Sequence, residues 1–339
     1  MSLSASLFGA ELQIRFDQYA AGETPTNFHR ALAGGGEPGV WKIVTDVVPP
    51  TLAPLTDKVV IPPRPVLAQL STDPTDERFP MFVYDGQKFK DFKFTTRFKI
   101  ISGVAEQMAG VVFRYQNASN FYVLRASALG ENFRFYKVVN GIRSDPIGPK
   151  VMISTNVWHS LAVQCQGNQI ICWLDGALAM PPLNDNTFTV GKIGFWTMSD
   201  AVSYFADPVV DYKPLIPAAQ TLVNNIMERE PRILELRIYR LDDQGKPKII
   251  ASNKPGEVGQ PGGDYEHNAI VNGKIFIGHG KGTVSFSMPY RDRNGDPIAA
   301  VRIGLKSSFT ETQDMAVSRA TAILRMMEQQ IDNAKDLSQ

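Results

Sequence analysis

Cysteine is nearly absent: Cys165 and Cys172 are the only two in 339 residues. They flank a turn in LAVQCQGNQIICWLDG. If Gly167-Asn168 form a two-residue hairpin loop, Cys165 pairs with Ile170 and Cys172 with Val163. The sulfurs are then diagonal, which favours two buried thiols over a disulfide. Histidine is scarce too, and positions 29, 159, 267 and 279 lack zinc spacing. There is no G-x-S-x-G elbow and no C-x-x-C. Neither charge sign dominates. With 35 basic against 34 acidic residues the net charge is +1, so nothing marks a nucleic-acid partner. No apolar run reaches the roughly 18 residues of a helical membrane span. The opening MSLSASLFGAELQIRF has no basic flank. It is expected to be the stump of a removed leader, although Phe8-Gly9-Ala10 fits a small-x-small cleavage site poorly.

What is present suffices for two ordinary domains, given 43% hydrophobic and 20% charged residues over this length. From about 90 to 207 the pattern has period two. KDFKFTTRFKI, AGVVFRYQ, NFYVLRAS, NFRFYKVV, WHSLAVQCQ, QIICWLDG and KIGFWTM are short runs separated by turn residues. This spacing, with no helical segment between, predicts an antiparallel jelly-roll sandwich or barrel. Alternation puts Val111, Phe113, Leu124, Phe133 and Phe135 inward. It puts Arg114, Arg125, Arg134 and Tyr136 on one exposed face, if these strands are neighbours. Guanidinium forks beside an aromatic ring suit sugar rings or carboxylates. The competing reading is an ordinary solvated sheet face.

NFYVLRASALGENFRFYKVVNG, WHSLAVQCQGNQIICWLDG and GKIGFWTMSDAVSYFADPVV resemble the concanavalin A-like (laminin-G-like) jelly roll, closest to its bacterial sugar-hydrolase-like branch. The resemblance covers roughly 11–212. It implies an all-β sandwich that binds carbohydrate. The laminarinase-type enzymes of this fold carry E-x-D-x-x-E on one strand, which sets two carboxylates on one face. That motif is missing here, which puts hydrolysis in doubt and leaves binding. Some of these folds hold calcium; Asp85, Asp91, Asp175 and Asp185 are available, but loop acids are usually turn formers, so no metal is assigned. The stretch 13–80 is Gly- and Pro-rich, with early strands at VWKIVTD and VLAQLS, and Arg78 sits where a long loop would rim the binding face.

Pro214 and Pro217 mark a joint. PAAQTLVNNIMER then spaces Ala219, Leu222, Val223, Ile226 and Met227 along one helical face. RILELRIYRLDDQGKPKIIASN reads as strand, turn, strand, and DYEHNAIVNGKIFIGHGKG as a short helical or loop element, an Asn272-Gly273 turn and a strand. KGTVSFSMPYRDRNGDPIAAVRIGLK supplies two more strands. Thr310-x-x-Gln313 resembles a capping box for a last helix with Ala316, Ala320, Ile323, Leu324, Met327 and Ile331 on one face. Asp292-x-Asn294-x-Asp296 opens like a calcium loop but lacks the later ligands, and Asn-Gly between apolar runs is a hairpin. GHGKG precedes a strand and is no phosphate cradle.

Pro289-x-x-Asp292-x-x-Gly295-x-x-x-Ala299-Ala300-Val301 resembles the central hairpin of the Cache sensors, PAS-like ligand-binding domains. The resemblance covers about 213–330 and implies an α+β second domain at 213–335, after the sandwich at 11–212. It also implies a small-metabolite pocket between sheet and capping segments, for which Tyr239, His267, Lys281, Ser285 and Tyr290 are the candidates. The expected function is a non-catalytic binding and sensing protein. Its partners would be a saccharide, a small metabolite or both, and a signalling protein. Nucleic acid, a membrane span, a cofactor and a metal are not expected. The alternative is a glycoside hydrolase-like enzyme. A third reading, a protein-contact module, predicts an apolar patch in place of Arg and Tyr. A Cache domain favours a periplasmic or extracellular location.

Overall fold

Alternation at period two builds the first part of the chain. In strand Phe92–Ser102, buried and part-buried residues alternate almost to its end. Phe92, Phe94, Phe98 and Ile100 enter the core, while Lys93, Thr95, Arg97 and Lys99 do not. The computed structural model describes residues 9–50, 60–307, 312–330 and 337. It divides into two compact units, Met1–Leu215 and Ile216–Gln339.

The first unit is an antiparallel β-sandwich. One sheet runs Ala177–Leu178, Gln169–Leu174, His159–Gln166, Phe92–Ser102, Val202–Tyr212, Arg64–Gln69, Trp41–Asp46, with Ala10–Gln13 and Leu183–Asn184 added at its flanks. The other runs Ile142–Arg143, Asn132–Val139, Asn120–Ser127, Met108–Asn117, Lys192–Trp196, Phe79–Tyr84, Phe28–Ala33. Between them lies an aromatic core. Trp41 stacks on Phe82 at 5.3 Å, and Phe195 meets Phe205 at 4.8 Å. Each such ring contributes roughly 1.5–3 kcal/mol by leaving water. The cysteine register is the one a two-residue loop demands: Cys165 opposite Ile170 and Cys172 opposite Val163. Both are free and buried.

The four loop acids are all committed to protein partners. Asp85 accepts from His29 at 2.7 Å and Lys192 at 2.6 Å. Asp91 accepts from the Gly167 N–H at 2.8 Å. Asp175 accepts from His159 at 2.8 Å and the Ser160 N–H at 2.7 Å. Asp185 accepts from Tyr122, from Lys137 at 2.6 Å and from the Thr187 N–H at 2.7 Å. Among the described residues no group of His, Cys, Asp and Glu is arranged for a metal, and no helix is long and apolar enough to cross a membrane.

The second unit is a five-stranded antiparallel sheet in the order Pro247–Ser252, Ile233–Leu241, Pro297–Lys306, Thr283–Arg291, Phe276–Gly280. Its helices are α1 (Ala218–Arg229), α2 (Asp264–Asn272) and α3 (Gln313–Glu328). Leu236, Ile238, Phe286, Met288, Val301 and Ile303 share a core with α1 and α3. Residues of opposite parity, Tyr239 and Ala300 among them, pack with Ala269 and Ile270 of α2. Ala219, Leu222, Val223 and Ile226 are the buried face of α1. Thr312, not Thr310, caps α3, accepting from the Met315 N–H at 3.3 Å. Thr310 and Ile331 lie outside the described residues. Asn272-Gly273 ends α2 rather than turning a hairpin, with Gly273 in the left-handed region at φ 63°.

The Asp292 segment is one of a pair. Asp242-Asp243-Gln244-Gly245-Lys246-Pro247 and Asp292-Arg293-Asn294-Gly295-Asp296-Pro297 share D-x-x-G-x-P. In each, the first aspartate's Oδ1 accepts two backbone N–H groups, from Gln244 and Lys246 in one and Asn294 and Asp296 in the other. Each glycine has positive φ, 73° at Gly245 and 86° at Gly295. The aspartate is a turn device, its oxygen spent on the backbone.

Candidate functional site

The seven-stranded sheet is buried on both faces. Inward residues such as Val111, Phe113 and Leu124 belong to the sandwich core. The outward set, including Val112, Val123, Tyr136 and Trp196, forms a second apolar cluster. Large rings close over small floor positions: Phe79 stacks on Trp196 at 5.7 Å, and Tyr136 meets Trp196 edge-on at 6.1 Å. Gly110 sits between Trp196 and Arg125 on neighbouring strands. A Cβ at Gly110 would meet the Arg125 Cβ at 2.7 Å and the Leu124 carbonyl oxygen at 2.6 Å, so only glycine admits this close approach.

At the Met108 end of this face lies a cavity of about 300 Å³. Arg125, Arg143, Tyr136 and Trp196 line it, with the carboxylates Asp76, Glu77 and Glu106 and the thioethers Met108 and Met198. Two loops carry the acids. Asp200 accepts the backbone N–H groups of Val104 at 2.6 Å, Ala105 at 3.1 Å and Glu106 at 2.9 Å, fixing the loop that ends in Glu106. Burial opposes ionisation of Asp200, but those N–H groups outweigh it and hold its carboxyl below the usual range. Arg78 fixes the other loop. It is fully buried and donates to the carbonyls of Glu37 at 2.6 Å and Ser199 at 2.5 Å and to Ser71 Oγ at 2.9 Å. Arg78 is therefore an internal anchor and not a rim residue. Beside it Glu77 sits in the left-handed region at φ 50°.

The polar groups of the cavity differ in commitment. Arg143 pairs with Glu77 at 3.0 Å, and its guanidinium lies 5.8 Å from the Tyr136 ring centroid and 5.9 Å from that of Phe79. Arg125 hydrogen-bonds Asn132 Oδ1 and, among the described residues, is in no ion pair. Burial lowers its pKa. The Glu106 carboxylate takes no hydrogen bond among the described residues, and burial foremost raises its pKa. Trp196 is fully buried and its indole N–H has no partner among the described residues. A donor buried without a partner costs about 1–3 kcal/mol.

Of the residues singled out in this unit, the structure brings Arg125 and Tyr136 to the cavity, but Tyr136 is buried rather than on an exposed face, because Trp196 packs beside it and Arg143 covers its ring. Arg134 is directly opposite Arg125 in register, but its guanidinium is held by the Gly148 carbonyl. Arg114 is not on the exposed face. Its φ of 45° and the register shift after Phe113 break the alternation. Its guanidinium is buried, donating to the carbonyls of Phe188 at 2.8 Å and Gly167 at 2.6 Å. Arg143, Trp196, Glu77, Glu106 and Asp76 escaped the sequence reading. They sit on loops, on a two-residue strand, and in a run that reads as core.

In the second unit the five candidates do not converge. Tyr290 is buried on the α3 side, its hydroxyl donating to the Met327 carbonyl at 2.8 Å. Tyr239 packs on the opposite face, under α2. His267 is part-buried on α2, Ser285 is part-buried in its strand, and Lys281 is exposed in a turn. A charge network occupies the α2 face instead. Buried Glu266 accepts from Ser287 at 2.7 Å, the Gly263 N–H at 2.9 Å and Arg302 at 3.2 Å. Arg302 and Arg237 both pair with Glu235, at 3.0 and 2.8 Å. Arg237 also forms a fork with Glu257 at 2.7 and 2.8 Å.

No family model and no curated protein matches the sequence. Solved structures with some likeness include the carbohydrate-binding module CBM66 of Bacillus subtilis, at 19% identity over 50% of this chain and 94% of that one, TM-score 0.39. Another is a Bacillus subtilis protein of unknown function with a galectin-like fold, at 12% identity over 56% of this chain and 91% of that one, TM-score 0.36. A third is described as a native glycosidic hydrolase, at 12% identity over 61% of this chain and 97% of that one, TM-score 0.37. At these scores the likenesses add nothing to the geometry, on which alone the functional reading rests.

Proposed function

We propose that the first unit is a non-catalytic saccharide-binding module and that the sugar enters the Arg125–Glu106 cavity. One observation carries this: a guanidinium outside any ion pair among the described residues and a carboxylate without donors, attracting one another across the cavity, line it beside the buried Tyr136 and Trp196. A vicinal diol answers both groups, since one hydroxyl accepts from Arg125 while the other donates to Glu106. The C–H face of a sugar ring suits the wall that the Tyr136 and Trp196 rings back. A simple anion would satisfy Arg125 and leave the acids worse off. A sensing role for the second unit, in the manner of a Cache domain, has no observation of this kind behind it, because its candidate residues do not converge and its charged groups are joined in ion pairs.

The test is calorimetric titration of the intact protein with mono- and oligosaccharides, repeated with Arg125→Ala and Glu106→Gln. Each variant is expected to lose at least tenfold in affinity, about 1.4 kcal/mol. Binding untouched by both would sink the reading. Release of new reducing ends would convert the module into a hydrolase, with Glu106 and either Asp76 or Glu77 as its acid pair.

A further inference from the structure

We propose that the bound sugar is cationic, an amino sugar whose ammonium takes the place now held by the Arg143 guanidinium. This deepens the saccharide reading and rests on it. Arg143 already behaves as an internal occupant of the cavity. It lies over the Tyr136 and Phe79 rings and reaches Glu77 on the other wall. The spot is therefore a cation site by construction: two ring faces that attract positive charge and a carboxylate beside them. Both members of the pair are substantially exposed, with side chains 40% and 59% accessible, so the bridge is weak and readily exchanged.

The charge count gives the direction of preference. Once Arg143 swings out, the lining holds Asp76, Glu77 and Glu106 against Arg125 alone. Arg134 does not line the cavity, its guanidinium donating to the Gly148 carbonyl, and its charge reaches the site only through its neighbour Arg125, so acids still outnumber cations there. A uronate would add a further negative charge to this set, and a neutral sugar would leave Glu77 without its cation. An ammonium restores both the ring contact and the ion pair, while the sugar's hydroxyls still meet Arg125 and Glu106.

The experiment titrates the full chain at about pH 6, where an aliphatic amine is protonated. The probes are a glucosamine tetramer, its N-acetylated counterpart and a galacturonate tetramer. Expected is at least tenfold tighter binding of the glucosamine tetramer than of either other probe. The Trp196 indole N–H resonance, assigned by its loss in Trp196→Phe, should shift on binding, which adsorption elsewhere on the surface would not cause. Glu77→Gln should erase most of the preference. Arg143→Ala should tighten glucosamine binding about threefold or more by removing the competitor. Equal or better binding of the N-acetylated probe or the uronate would overturn the amino-sugar inference while leaving the saccharide reading intact. Weaker glucosamine binding in Arg143→Ala would also overturn it, since Arg143 would then be a ligand contact. No binding of any probe by the wild-type chain would remove both.

Discussion

Two sheet faces in this protein are furnished with the same residue types and put them to different use. Under α2, arginines and glutamates are joined into a chain from Glu257 through Arg237, Glu235 and Arg302 to Glu266. On the outer face of the sandwich, Arg125 and Glu106 line one cavity and neither is in an ion pair among the described residues. The first arrangement is a continuous run of ion pairs that ties α2 to the sheet, although Glu235 Oε1 and Arg302 Nε make no hydrogen bond among the described residues. The second costs stability, through two desolvated groups and an orphan indole, and such a cost is tolerated where a ligand completes the set. Composition does not separate the two cases; the pattern of ion pairing does.

Four substitutions press on this contrast, from the largest expected effect on stability to the smallest. Glu266→Ala strands the buried Ser287 hydroxyl and takes one carboxylate from the part-exposed Arg302, and should cost about 3 kcal/mol by denaturant unfolding. A loss under about 1 kcal/mol would show that the network is ornamental. Arg114→Met takes the donors from the part-buried carbonyls of Phe188 and Gly167 and should cost about 2 kcal/mol; an unchanged midpoint would return Arg114 to the list of candidate ligand contacts. Asp185→Asn tests a pH-dependent anchor. Burial works against ionisation at Asp185, yet Lys137, Tyr122 and Thr187 outweigh it and bring its pKa to about 2. An unfolded aspartate titrates near 3.9, so the stabilisation is complete above that value and fades as the pH falls toward 2. After discounting for solvent screening, the difference between wild type and variant should be about 1 kcal/mol at neutral pH and vanish in acid. A gap that persists in acid would place the effect in packing. Arg125→Ala should move the melting temperature least, by the equivalent of about 0.5 kcal/mol or less, because it removes a desolvated charge without breaking an ion pair. A large loss there would make Arg125 a structural residue like Arg114.

Arg114 and Arg125 also show how far the sequence can be read. Both stand outward of inward-facing neighbours in GVVFRY and FYVLRA, and strict alternation treats them alike. The strands, the Cys165–Ile170 register and the paired turns were legible because each depends on residues within a few positions. What separates the two arginines is a bulge, a left-handed backbone at position 114, for which Gly191, just before the neighbouring strand, leaves room. A Cβ at Gly191 would stand 2.3 Å from the Arg114 carbonyl carbon. The cavity was half legible for the same reason: Arg125 and Tyr136 follow the period, whereas Arg143, Glu77 and Glu106 arrive on loops whose course is fixed by Arg78 and Asp200 through long-range bonds. Trp196 reads as core, and it is core, except for one nitrogen. In the second unit helices and strands were both legible, whereas the ion pairs under α2 were not, since they join residues far apart in sequence, such as Glu235, Glu266 and Arg302.

The repeated D-x-x-G-x-P turn carries a consequence for how the second unit forms. Each hairpin closes over a handful of residues, and its aspartate stitches the loop before any distant strand is needed. Closing so short a loop costs little chain entropy, and contacts of such low sequence separation form fast. The two hairpins should therefore arise independently as early pieces. The slower event would be their docking along Ile233–Leu241 and Pro297–Lys306, the two central strands, so a single cut between the hairpins should leave halves able to find each other.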